Sequence, residues 1–366
     1  MGDPQREKKI VATFLQQGHL LTPAALERLA AKAIVPSDKK FDALIIDTDQ
    51  LEESVSYNIL KNFTQKPSVI SKDDFVSFYT SKFEKMRQIL TSRLQWEFVS
   101  LNKVDNLRSE VHVIGMVRDV KARQDSYAID VEDLTDAKTV IVAAEPEVEI
   151  DDVVAIRATP AGDLLLAKEI SYADIPLRQP ATGVGKTCFL SDLHLDEAPK
   201  KDAERLFAWL QSADIRYVCV AGHTGDVREF ERLVKEYAPK KTFFCIPGHP
   251  DSELEYPATP TDYTLPNIVS LSNPATIELN GLVVLLCHKA DISFLKKRYM
   301  GKTKLILKED YLVLDTVPDI LHCGFTHKPE VINYKSVTLV NAGSLLAECK
   351  PAVVDFASRD VTQVAL

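Results

Sequence analysis

Five short apolar runs in the second half of this 366-residue chain each end in residues able to ligate a metal or move a proton. Cys188-Phe189-Leu190 leads into Ser191-Asp192-Leu193-His194, and Tyr217-Val218-Cys219-Val220 into Gly222-His223-Thr224-Gly225-Asp226. Phe243 to Ile246 leads into Gly248-His249-Pro250-Asp251, Leu282 to Leu286 into His288, and Ile320-Leu321 into Gly324-Phe325-Thr326-His327. A carboxylate with several imidazoles suits manganese or zinc better than a hard oxygen-seeking ion. On alternating backbone, Asp192 and His194 share one side of the chain. The candidate metal ligands are therefore Asp192, His194, His223, His249, His288 and His327, with Asp226, His249 and Asp251 as candidate catalytic or supporting groups.

The elements that must position them follow from patterning. Short apolar runs bounded by turn residues read as buried strands. Helical stretches such as Asp202 to Gln211 and Asp226 to Tyr237 alternate with them. The expectation for residues 185–366 is a layered sandwich of sheets flanked by helices. Upstream, Val111 to Val117, Tyr127 to Val131, Thr139 to Val142, Val153 to Ile156 and Leu164 to Ala167 alternate in hydropathy, so residues 96–175 read as a five-stranded OB-type barrel. Tyr127 is the only aromatic in those strands, a thin stacking surface for single-stranded nucleic acid, which favours scaffolding over DNA grip. Residues 1–60 read as a helical module, with Thr22-Pro23 as a helix start and a short strand over Phe41 to Thr48. Residues 61–95 read as a linker followed by a helix capped near Ser71 and Asp73, its apolar face formed by Phe75, Phe78, Phe83, Met86 and Leu90. The expected class is thus α/β, an α+β multidomain chain.

Bulk properties narrow the classes. A net charge of −9 argues against a wholly basic nucleic-acid binder while leaving room for a local basic groove, and Lys296-Lys297-Arg298 reads equally as a phosphate contact or a solvated turn. No stretch has the length and apolarity of a membrane span, and the N-terminus lacks a signal-peptide core, so an intracellular protein is expected. The six cysteines form no C-x-x-C pair and read as small buried hydrophobes in a reducing compartment. Ala181 to Thr187 looks like the end of a phosphate-binding loop, but position 180 is Pro180 and a strand rather than a helix follows.

The order of the five motifs resembles the calcineurin-like metallophosphoesterases, whose pattern runs D-x-H, G-D-x-x-D, G-N-H-D, H, G-H-x-H. Three further stretches narrow the resemblance: Phe294 to Arg298 with Asp310 to Asp315 and Val317 to His322, then Val113 to Asp119 with Val131 to Leu134, then Gly18 to Leu26. Together they are similar to the small subunit of archaeal family D DNA polymerase. That resemblance implies a helical module, an OB fold and a phosphoesterase domain. It also implies a manganese-dependent 3′-5′ proofreading exonuclease bound to a large catalytic subunit and acting on DNA. A sliding clamp is kept as a further partner, although neither end shows a clamp motif; no membrane partner is expected.

Against the family pattern, His223 stands where an aspartate bridges two metals. A carboxylate can span two ions, whereas a neutral imidazole offers one lone pair to one ion. Asp226 fits the second aspartate of that motif. Gly248-His249-Pro250-Asp251 replaces G-N-H-D, and Pro250 cannot supply a proton. Phe325 replaces the first histidine of the last motif. The expectation is a broken dinuclear centre that binds at most one ion, through Asp192, His194, His223 and His327, with zinc in a closed site as the favoured form. His19, His112 and His322 lie outside the pattern. The leading function is an organising polymerase subunit with weak or absent nuclease activity. The alternatives are an active proofreading exonuclease and a free-standing phosphoesterase.

Overall fold

The structure, a computed structural model, describes residues 4–31, 44–46, 57–64, 71–248, 257–301, 303 and 305–366. His249, Pro250 and Asp251 lie outside the described residues, as do residues 65–70 of the expected linker and most of the strand expected over Phe41 to Thr48. The chain divides into two compact units, Met1–Tyr57 and Asn58–Leu366.

In the first unit, helices Pro4–Gln16 and Pro23–Ala31 enclose a small core of Ile10, Phe14, Ala25, Leu29 and Ile46. Pro23 opens the second helix, where its missing N–H costs no bond, and the Thr22 hydroxyl accepts from Ala25 N–H at 3.2 Å. Leu20–Leu21 pairs in parallel with Ile45–Ile46.

In the second unit, helix Lys72–Leu94 begins with a reciprocal cap: Asp74 N–H donates to the Ser71 hydroxyl, and Ser71 N–H to the Asp74 carboxylate. Phe83, Met86 and Leu90 pack on Ile114, Met116, Val153 and Ala155 on the outside of a barrel. Phe75, expected on that face, is half-exposed. The barrel closes from five strands in the order Val111–Ala122, Tyr127–Glu132, Ala137–Val142, Leu164–Ser171, Val153–Ala161. Val113, Val117, Ile129, Val131, Val140, Ile156 and Leu165 fill its interior. The first part of strand Val111–Ala122, through Val117, is therefore buried on both faces. Gly115 sits where a Cβ would stand 2.8 Å from Val131 Cβ, so only glycine lets these strands close.

Two six-stranded sheets follow. In the first, Ile268–Ser270, Thr242–Pro247, Tyr217–Gly222 and Lys186–Ser191 run parallel, and Ala352–Asp355 and Val361–Gln363 add antiparallel strands. Helices Lys200–Ser212 and Val227–Tyr237 cover its outer face, pressing Leu206, Phe207, Phe230 and Leu233 onto Cys188, Leu190, Val218 and Phe243. The second sheet orders Pro329–Tyr334, Val337–Ala342, Ile320–Cys323, Leu282–Leu286 and Ala275–Leu279, with the strand ending at Lys61 at its edge. That edge strand has no signature in the sequence; Phe63 N–H and Asn62 fix its end to Ser272 at 2.8 and 2.7 Å.

The two sheets meet face to face, and His322 lies between them with no exposed surface. Its Nε2 is 2.7 Å from the Leu190 carbonyl and its Nδ1 3.0 Å from the Val340 carbonyl. Burial pushes its pKa down to about 4, so the ring is neutral and donates to one carbonyl only. All six cysteines are free, and five are fully buried. The basic turn is structural: Lys296 pairs with Glu147 at 2.7 Å, Lys297 with Asp152 at 3.0 Å, and buried Arg298 donates to the Leu314 and Asp315 carbonyls. The two lysine pairs fasten the barrel to the sandwich. The segment resembling a phosphate-binding loop is an extended connector, with Gly183 N–H bonded to Phe356 carbonyl at 2.8 Å.

Candidate metal centre

The parallel strands end level with one another, Ala221 opposite Ser191 and Gly222 opposite Pro247. In the second sheet Leu286 lies opposite His322 and Cys323 opposite Asn341. The chemistry-bearing residues leave the sheets at that common rim.

The pleat does not aim them. Asp192 and His194 lie just beyond strand Lys186–Ser191, both with left-handed backbone at φ 45°. Phe325 and His327 repeat this at 63° and 54°. Non-glycine residues held there cost of order 1–3 kcal/mol each, a strain that concentrates at functional sites. The two post-strand loops zip together: Asp192 N–H donates to Ala221 carbonyl at 3.1 Å, His194 N–H to His223 carbonyl at 3.1 Å, and Leu195 N–H to Thr224 carbonyl at 3.0 Å. Glycines permit the close approach. A Cβ on Gly222 would overlap Asp192 Oδ1 and stand 2.6 Å from His288 Cδ2, and one on Gly324 would stand 2.5 Å from Asp192 Oδ2.

Asp192 is 1% exposed and sits at the centre. Its Oδ1 accepts from His223 N–H at 3.1 Å and lies 2.8 Å from His288 Nε2; its Oδ2 accepts from Phe325 N–H at 2.8 Å. Burial alone would raise its pKa. The bonds to His288 and to the two backbone amides outweigh burial and hold the carboxyl below its ordinary value. His288 is buried too, its N–H backbone bonded to Asn273 Oδ1 at 3.1 Å, and its Nδ1 has no hydrogen-bond partner. His327 is more open, with Nε2 3.8 Å from Asp192 Oδ2.

His194 is 4% exposed, and neither ring nitrogen has a hydrogen-bond partner. Burial, helped by the neighbouring His223 and His327 and opposed by Asp192, pushes its pKa down, so it is a neutral imidazole with a free lone pair. A buried polar group without a partner is uncommon and calls for a ligand. Two clusters converge on it: Asp192, His194 and His327, and His194, Asp196 and His223, with ligand atoms within 4.8 Å of one another in each. The donor set fits a divalent transition metal. The four ligands expected to surround one ion do not converge on a single point; His223 and His327 fall into different clusters that share His194.

Other expected residues have different employment. Asp226 caps helix Val227–Tyr237, its Oδ1 accepting from Arg228 N–H at 2.9 Å and Glu229 N–H at 3.3 Å. Phe325 turns its ring edge-on to His288, centroids 5.8 Å apart. His112 stacks on Trp96 at 4.7 Å, away from the rim. Three residues escaped the sequence reading. Asp196 stands 3.4 Å from His223 Nε2, and its signal was the run Asp192-Leu193-His194-Leu195-Asp196. Asn273 and Asn341 brace the loops: Asn341 Nδ2 donates to the Gly324 carbonyl and to Thr326 Oγ1, each at 2.9 Å. A lone asparagine after a strand carries no signal.

Residues 186–363 match the calcineurin-like phosphoesterase superfamily domain. Over 93% of its length the chain is 25% identical to the DNA polymerase II small subunit of Archaeoglobus fulgidus, covering 82% of that protein. The corresponding proteins of Methanothermobacter thermautotrophicus and Thermoplasma acidophilum are each 25% identical over 86% and 92% of this chain, covering 79% and 85% of theirs. The chain is thus similar over most of its length to DNA polymerase II small subunits, and its last half matches a calcineurin-like phosphoesterase domain.

Proposed function

We propose that this chain is the organising small subunit of a family D DNA polymerase, with weak or absent nuclease activity of its own. The partner is a large catalytic subunit bound through an interface of more than about 2,000 Å², as stable assemblies require. DNA is the shared substrate of the complex. The subunit role is supported by a similarity that runs through nearly the whole chain rather than the phosphoesterase domain alone. A free-standing hydrolase has no need of the other two parts.

The observation that carries the impaired chemistry is the state of the rim carboxylate. A dinuclear phosphoesterase needs a carboxylate with oxygens free to bridge two ions, and bound ions would supply an activated water and stabilise the leaving oxygen. Asp192 already receives three donors on its two oxygens, and His223 has no second lone pair to bridge with. Asp226, the second aspartate of the motif, is engaged as a helix cap. What remains supports one ion, zinc or manganese, at His194. The active-exonuclease alternative draws on the same feature, because a one-ion site with an open position can still activate water.

Co-expression with the cognate large subunit should yield a stable complex, and a chain that stays monomeric would count against the subunit role. In manganese, the unmodified protein should degrade a DNA 3′ end slowly or not at all. The combined variant His223→Asp, His249→Asn, Pro250→His and Phe325→His should degrade it faster. Robust digestion by the unmodified protein, abolished by His194→Ala, would establish the alternative.

A further inference from the structure

Two carboxylates border His194, and their surroundings differ. Asp192 is buried and committed to His288 and two backbone amides. Asp196 is half-exposed, and its side chain faces His223 Nε2 at 3.4 Å. His223 carries its ring nitrogen outward along the rim, past Asp192 and toward Asp196. Gly225 lets that carboxylate settle against the adjoining loop; with φ 79°, its Cβ would overlap Asp196 Oδ1 and the Leu195 amide.

We propose that one divalent transition-metal ion is held by His194, Asp196 and His223, a site displaced outward from Asp192, which serves as the anchor of the rim. This rests on the one-ion reading above and gives it a ligand set. His194 supplies the inner side: it is nine-tenths buried, its ring nitrogens have no other partner, and its ring lies 4.9 Å from that of His223. Asp196 and His223 supply the outer side and are reached from solvent. Ligand atoms within 4.8 Å of one another need shift by only a fraction of an ångström to meet an ion at about 2.0–2.2 Å from each. Two imidazoles and one carboxylate form a set that takes zinc and leaves at least one position open to water or a phosphate oxygen. The rival set, Asp192, His194 and His327, must draw on an oxygen already bonded to Phe325 N–H.

His194 belongs to both sets, so its replacement cannot separate them; Asp196 and His327 each belong to one. The experiment titrates the chelator-treated full-length chain with zinc by calorimetry, and separately with cobalt, whose visible absorption reports its ligands. Wild type should bind one zinc ion. Asp196→Asn, an isosteric change at a half-exposed position, should weaken binding by about tenfold or more and alter the cobalt spectrum. His327→Gln should leave both close to wild type. Circular-dichroism melts confirm that each variant folds. If His327→Gln weakens binding and Asp196→Asn does not, this assignment falls while the one-ion reading stands. Wild type that takes up two ions tightly, or none, overturns both.

Discussion

Asp192→Ala should destabilise the sandwich strongly even when no metal is present. A residue that serves only to bind an ion can usually be removed from the metal-free protein at little cost, because no bond is lost. Asp192 is different. Its removal strands the amides of His223 and Phe325 and leaves His288 Nε2 without its acceptor, all at a buried site. Each neutral buried donor left unpaired costs about 1–3 kcal/mol, and breaking a buried charged partner costs about 3–5 kcal/mol. These penalties overlap, so a total loss of about 3–5 kcal/mol is expected. The assay is hydrogen–deuterium exchange in EDTA, read on peptides covering 186–195 and 217–224, since a multidomain chain need not unfold in one step. Exchange through opening should accelerate roughly a hundredfold to several thousandfold, at about 1.4 kcal/mol per tenfold. The pH dependence has a definite sign. The folded carboxyl lies below its ordinary value, so its contribution is complete above the unfolded pKa of about 3.9 and fades as the pH falls through the lowered folded value. Variant and wild type should therefore differ fully at neutral pH and converge in strong acid. A loss under about 1 kcal/mol in EDTA would refute the anchoring argument and return Asp192 to the role of a simple ligand.

Two further outcomes follow from the same geometry. Gly222→Ala places a Cβ against Asp192 Oδ1 and His288 with the backbone at φ 106°, and should cost about 2–4 kcal/mol, read as a lower urea midpoint; an unchanged midpoint would mean the rim can open without penalty. His322, with its pKa pushed down from 6.5 to about 4, binds fewer protons folded than unfolded, so its stabilising contribution is complete above about pH 6.5 and falls as the pH drops toward 4. Stability should decline by about 2 kcal/mol between pH 7 and pH 5 on this account, and His322→Asn should flatten that slope; an unaltered slope would assign it to other groups.

The strands and the barrel were legible because burial writes itself into the sequence. Five apolar runs became five strands ending on one rim, and the alternation from Val111 to Ala167 became the closed barrel. The aim of the side chains was not legible. Strand alternation was expected to set Asp192 beside His194, but both lie past the strand in left-handed backbone, made possible by glycines on neighbouring loops that no local pattern connects. Asp196 was missed for a related reason: its place near His194 depends on how far His223 reaches from another strand. Asp226 fits a motif position, yet the preference of aspartate for a helix start accounts for where its carboxylate is spent. Lys296 and Lys297 could be read as phosphate contacts because their partners, Glu147 and Asp152, are far away in sequence.

The rim also explains how hydrolysis and architecture can part company. Through Asp192 the end of strand Lys186–Ser191 is joined to the loops that follow Tyr217–Gly222, Leu282–Leu286 and Ile320–Cys323, two in each sheet. One carboxylate thus fastens both layers of the sandwich. A different side chain at 223 or 325 would leave this knot intact. The Phe325 amide donates to Asp192 whatever side chain it carries, as does the His223 amide. Substitution of a ligand can therefore extinguish two-metal chemistry at small structural cost, while substitution of Asp192 cannot. Lys296 and Lys297 tie the barrel to the same unit through Glu147 and Asp152, so the architecture of the rim and its surroundings does not depend on a bound ion.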